Sequence, residues 1–190
     1  MGDARHELIV VGTSWGGLHA LSVLLSSLPR DFEIPLAIVQ HRRHDSDDTL
    51  AQLLQAHTAM RVREAEDKEP IREGRVYIAP ADYHLLVDGR ALALSTDPPV
   101  RFSRPSIDVL FESAADSFQH RLIGIVLTGS NHDGARGLSR IKQRGGLTIV
   151  QNPASAESPT MPEGALALDC VDRILELDQI GSFLAQLRQR

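Results

Sequence analysis

Three side chains, each a few residues beyond a run of apolar residues, are the ones in this chain best able to do chemistry together: Ser14, His41 and Asp133. Acyl transfer needs a hydroxyl nucleophile, an imidazole to take and return its proton, and a carboxylate to orient and stabilise the imidazolium. Ser14 carries the sharpest signal. Gly12-Thr13-Ser14-Trp15-Gly16 matches G-x-S-x-G, between an apolar run and a helical pattern, where a nucleophile elbow belongs. Free N–H groups at the start of the following helix would face an oxyanion there. His41 follows the apolar run 36–39, and Asp133 follows the most apolar run of the chain, 122–127.

Each residue has a plainer reading. Ser14 can cap a helix inside a Gly-rich turn, His41 can be structural, and Asp133-Gly134 can be a turn or a helix N-cap. His132 competes with His41 as the base. A nucleotide-binding loop is disfavoured: G-x-G-x-x-G requires Gly at position 14, and no Gly-Lys-Ser/Thr precedes the helix. The order Ser, His, Asp also differs from the Ser, Asp, His order of the α/β-hydrolase superfamily, and no histidine follows His132.

The elements that must position these groups alternate. Short apolar runs at 8–11, 36–39, 76–79, 122–127 and 147–150 read as buried strands. Between them, Leu18, Leu21, Leu24, Leu25 and Leu28 recur at helical spacing, as do Leu50, Leu53 and Leu54 behind a cap at Ser46 or an adjacent Asp, and Ile107, Leu110, Phe111, Ala114 and Phe118 behind Ser106. Leu138 and Ile141 mark another helix, and Leu184 with Leu187 a terminal one. Asp88-Gly89 between 85–87 and 91–94 predicts an antiparallel hairpin at the sheet edge. The pattern predicts an α/β fold: a doubly wound, mainly parallel sheet with helices on both faces, formed by one domain over 1–190. In such sheets ligands bind beyond the carboxyl ends of the strands, where all three candidate residues fall.

Composition excludes several functions. A net charge of -5 disfavours binding to nucleic acid, which needs a dense cationic face. The single cysteine, Cys170, allows neither an internal disulfide nor a thiolate metal cluster and fits a reducing compartment. No apolar stretch approaches the roughly 20 residues of a membrane span, and the first residues lack a signal peptide's apolar region. These features predict a cytoplasmic protein without membrane insertion.

The motifs together resemble the catalytic domain of the chemotaxis protein-glutamate methylesterase (CheB) family. They are residues 9–17 around Ser14, Val39-Gln40-His41, Tyr77-Ile78-Ala79-Pro80, Arg104-Pro105-Ser106-Ile107-Asp108-Val109-Leu110-Phe111, Leu127-Thr128-Gly129 with Asp133-Gly134, and Gln151-Asn152 with Met161-Pro162. The resemblance implies a Ser14–His41–Asp133 triad that needs no metal or organic cofactor. It implies hydrolysis of γ-glutamyl methyl esters on the signalling helices of methyl-accepting chemoreceptors, with deamidation of receptor glutamines. A separate response-regulator or sensor protein is a further implied partner, because the family's N-terminal receiver domain has no counterpart before the first strand. That favours a stand-alone member.

Some positions depart from the family pattern. Trp15 stands where Thr is usual, Ser130-Asn131 where Met-Gly is usual, and Arg42-Arg43-His44 where the histidine is usually followed by Met-Pro. Trp15 and Ser130 favour a second reading, a serine esterase acting on another protein or a small ester. A catalytically silent interaction module is a third. Arg42 and Arg43 are a candidate patch for steering acidic helices.

Overall fold

The computed structural model describes residues 6–41 and 49–188. The seven-stranded sheet is built from β1 (Leu8–Thr13), β2 (Leu36–Gln40), β3 (Arg61–Glu64), β4 (Arg75–Ile78), β7 (Leu122–Val126), β8 (Leu147–Gln151) and β9 (Arg173–Leu175), in the order β3-β4-β2-β1-β7-β8-β9. Every pairing in it is parallel. Parallel strands buried on both faces read as continuous apolar runs rather than alternating ones, which is why Leu-Ile-Val-Val and Leu-Ile-Gly-Ile-Val stand out in the sequence.

Successive residues of each strand point to opposite faces, so each strand feeds two cores. Leu8, Val10, Ala37, Val39 and Val126 face one side, against α3 (Ile107–Phe118), α4 (Ala135–Gln143) and α5 (Thr160–Leu166). Ile9, Val11, Leu36, Ile38 and Ile125 face the other, against α1 (Gly17–Ser26), α2 (Thr49–Gln55) and α6 (Leu177–Arg188). The doubly wound arrangement follows from this split.

The crossover rule sets the position of the site. The chain passes from β1 through α1 to β2 on one side of β1, and from β7 through α4 to β8 on the other. Crossovers of one hand that run in opposite directions put their helices on opposite faces. A crevice is left at the carboxyl ends of β1 and β7, the switch point where open α/β sheets bind ligands.

The Asp88-Gly89 hairpin forms as expected, from β5 (His84–Asp88) and β6 (Ala91–Ser95), with Gly89 at φ 57. It forms a separate two-stranded sheet, bridged at Ala91 to Pro70, and packs against α3, where the Ser113 hydroxyl accepts the Val87 N–H at 3.0 Å. Ser106 stands at the N-cap of α3, but its hydroxyl does not cap that helix; it donates to Asp133 instead, at 2.9 Å. The expected cap at Ser46 and the Arg42–Arg43 patch lie outside the described residues.

Candidate active site

Ser14 leaves β1 in a sharp turn held by backbone and side-chain bonds to the strand across the switch point. Its N–H donates to the Thr128 carbonyl at 3.0 Å, and the Thr13 hydroxyl donates to the same oxygen at 2.8 Å. Gly16, at φ 78, caps α1 in the left-handed conformation that suits glycine. Gly17 must also lack a side chain, since a Cβ there would lie 1.8 Å from Gln40 Oε1. Among the described residues, the N–H groups of Trp15 and Gly16 find no acceptor, and Ser14 Oγ has no hydrogen-bond partner.

Gln40, the last residue of β2, ties this turn to the neighbouring histidine. Its Nε2 donates to the Ser14 carbonyl at 2.9 Å and to the His41 carbonyl at 2.8 Å. Its Oε1 is buried without a partner. A flipped amide would aim that oxygen at two carbonyl oxygens, so the orientation is set by the Nε2 contacts despite an orphaned acceptor, which costs about 1–3 kcal/mol.

His41 and Asp133, 92 residues apart in sequence, meet directly: Nε2 lies 2.8 Å from Asp133 Oδ2, with side-chain exposures of 12% and 2%. Asp133 also accepts the Ser106 hydroxyl at 2.9 Å and the backbone N–H groups of Ile107 and Asp108 at 2.6 and 2.9 Å. It therefore serves as the N-terminal cap that Ser106 does not supply to α3. Burial pushes the Asp133 carboxyl upward, but the bonds from His41 and from the N–H groups of Asp108 and Ile107 outweigh it, and the net shift is downward. The group is a carboxylate at neutral pH.

Asp108 returns the arrangement. Its Oδ1 accepts the N–H groups of Gly134 and Gly137 at 3.0 and 2.8 Å, capping α4, while Oδ2 is buried without a hydrogen bond. Asp133 thus caps the helix that holds Asp108, and Asp108 caps the helix that follows Asp133. Burial raises the Asp108 carboxyl, the nearby Asp133 charge adds to that, and the Gly137 and Gly134 N–H groups and Arg136 oppose it.

A cleft of about 510 Å³ opens at this point, lined by Ser14, Trp15, Leu18, His41, Ser130 and Glu157 among others. Trp15 (64% exposed) and Leu18 (45%) form an apolar part of its rim. His132, the competing imidazole, is not among the lining residues; its Nδ1 sits where a side chain on Gly164 of α5 would lie, 2.8 Å from that position. No group of three or more potential metal ligands occurs among the described residues. No helix among them is long and apolar enough to cross a membrane.

The spacing of motifs pointed to Ser14, His41 and Asp133, and the structure brings His41 onto Asp133 and puts Ser14 in the same cleft. Sequence reasoning missed the supporting residues. Gln151 Oε1 accepts the Thr128 N–H at 3.0 Å, and the Gly129 carbonyl accepts the Met161 N–H at 3.0 Å. These contacts account for the Gln151 and Met161 segments of the resemblance. Asn131 Nδ2 lies 2.9 Å from His41 Nδ1. Adjacency to His41 was the only available signal for Gln40.

The fold is a doubly wound α/β sheet with a cleft at its switch point, and the family it falls in is one of hydrolases. The chain belongs to the CheB methylesterase family, whose sequence profile matches residues 9–184. A Leptospira interrogans protein, provisionally named a protein-glutamate methylesterase/protein-glutamine glutaminase, is 44% identical over 97% of this chain and 96% of its own length. The protein-glutamate methylesterase FrzG of Myxococcus xanthus is 43% identical over 95% of this chain and 54% of its own, so the chain spans about half of that longer relative. The crystal structure of the Thermotoga maritima CheB methylesterase catalytic domain superposes with a TM-score of 0.91 at 29% identity, covering 96% of this chain and 99% of the other.

Proposed function

We propose that this protein is a serine hydrolase that removes methyl esters from γ-glutamyl side chains of chemoreceptors in the cytoplasm, with Ser14 as nucleophile, His41 as base and Asp133 as the orienting carboxylate. The observation that carries the reading is the 2.8 Å His41–Asp133 pair opening onto the cleft that Ser14 lines. The substrate class rests on the family and on the names of relatives such as FrzG. Deamidation of receptor glutamines follows the same acyl-transfer chemistry with ammonia as the leaving group.

Nε2 is turned toward Asp133, so the proton-accepting atom of the imidazole is Nδ1. Ser14 Oγ gives its proton to Nδ1 as it bonds to the ester carbonyl carbon, and the carbonyl oxygen becomes an oxyanion near the unpaired N–H groups of Trp15 and Gly16. The C–O bond to the methoxy group then breaks, methanol leaves with the proton from Nδ1, and an acyl-Ser14 ester remains. Water repeats the sequence and releases the glutamate. Acylation requires Ser14 Oγ, and deacylation the attacking water, to come within about 2.6–3.2 Å of Nδ1.

Ser14→Ala tests the nucleophile. Turnover should fall about 10⁴–10⁶-fold and labelling by a fluorophosphonate probe should vanish. A folded variant that retains labelling or loses less than about tenfold in rate would mean another nucleophile. Methanol release from methylated receptor, compared with simple esters, tests the substrate class. The exposed Trp15 at the rim favours the alternative of a different ester, and faster turnover of simple esters would support it.

A further inference from the structure

We propose that Asn131 is a positioning residue that fixes which nitrogen of His41 is free to take a proton. The catalytic consequence rests on the triad reading above, but the lock itself stands on hydrogen-bond polarity alone.

One donor in the site has no freedom of role. The backbone N–H of Asp133 can only donate, and it points at Asn131 at 3.0 Å, so the atom it meets is the amide oxygen Oδ1. The amide orientation is thereby fixed, and Nδ2, which can only donate, faces His41 Nδ1 at 2.9 Å. Nδ1 must then carry a lone pair and no proton. The ring's one proton sits on Nε2, which donates to Asp133 Oδ2 at 2.8 Å. The bonds form a closed circuit, Asp133 N–H to Asn131 to His41 to the Asp133 carboxylate, in which every group donates to the next. Neither the other tautomer nor the imidazolium can satisfy it, since both put an N–H against the Asn131 amide N–H.

Asn131 therefore does work that Asp133 does not. Asp133 alone accepts equally well from a neutral ring or a charged one, and a carboxylate partner favours the charged one. The amide at Nδ1 selects the neutral ring with its lone pair on Nδ1. It holds the place that the Ser14 hydroxyl must take over as the reaction begins.

Asn131→Asp is the decisive variant. It keeps an oxygen for the Asp133 N–H and nearly the same shape, but offers Nδ1 an acceptor in place of a donor. Carboxylates on both ring nitrogens favour the imidazolium, and an opposite charge at this range moves a titration by about 1–3 pH units. Among the described residues, Asp133 lies against the ring, Asp108 and Arg136 interact with Asp133, and Glu157 and His19 line the same cleft as His41. They are common to wild type and variant, so they cancel in the comparison.

The pH profile of Ser14 labelling should show its acid limb displaced upward by about one unit or more in Asn131→Asp, with activity recovering as pH rises. Asn131→Ala should show no upward displacement. Nitrogen NMR of the His41 ring should find the proton on Nε2 and bare Nδ1 in the neutral wild type, and imidazolium persisting to higher pH in Asn131→Asp. A ring titration unchanged by Asn131→Asp overturns the proposal. Because the NMR readout does not depend on turnover, a wild type that shows the expected ring signals but no Ser14 labelling refutes the triad while leaving the lock intact.

Discussion

Asp133 accepts four hydrogen bonds, from His41, Ser106, Ile107 and Asp108, through two oxygens. An ionised carboxylate has the lone pairs for this; an amide has one acceptor oxygen and brings two unwanted donors. Asp133→Asn should therefore fail in two separable ways. The imidazole loses the partner that holds its Nε2–H, and turnover should fall by about 10⁴-fold, the scale seen when a triad aspartate becomes an amide. The α3 cap is also weakened, which should lower unfolding free energy by about 1–2 kcal/mol. Denaturant titration alongside fluorophosphonate labelling checks both. Full labelling with reduced stability would leave Asp133 a cap and nothing more.

At the level of elements, the two aspartates pull stability in opposite directions with pH. Asp133 is held below its ordinary value, so its contribution is present above the unfolded pKa near 3.8 and lost as pH falls through the lower folded one. Asp108 is raised above 3.8, so the folded state holds its proton more tightly, and stability falls as pH rises through that raised value. Asp108→Asn keeps an oxygen for the Gly134 and Gly137 N–H groups and removes the titration. The melting temperature of the variant relative to wild type should increase as pH goes from about 4 to 7. A difference that stays flat or shrinks over that range refutes the assignment.

This exchange of caps between α3 and α4 was invisible in the sequence. Ser106 before an apolar stripe looks like a cap by residue type, and Asp133 beside Gly134 looks like a turn. Only the packing of α3 against α4 lets each aspartate reach the other's helix. Asn131 and Gln40 were likewise unreadable as supporting groups, because their partners are 90 and 26 residues away.

Across the whole molecule, legibility follows burial. The central strands β1, β2, β7 and β8 are covered on both faces and announce themselves as apolar runs. The two outer strands do not: β3 reads Arg-Val-Arg-Glu, and β9 is three residues long with Arg173 and Ile174 exposed. Charged and short strands are what sheet edges require, and they leave no apolar signal. The far core offers a control for the site. Leu184 of α6 is fully buried in the cluster that backs α1, whereas the Ser14 turn is held by Gln40 and Thr128. Leu184→Ala should lower unfolding free energy by about 2–5 kcal/mol and leave Ser14 labelling unchanged well below the melting temperature. Loss of labelling in the folded variant would show that the elbow depends on α6.

The mutual capping of α3 and α4 also bears on when the chain becomes reactive. The Asp133 carboxylate that faces His41 is also held by the Ile107 and Asp108 amides at the start of α3. A nascent or partly unravelled chain, with α3 adrift, thus has a serine and a histidine but no anchored acid behind them. Under the proposed triad, chemical competence would then arrive only with tertiary closure.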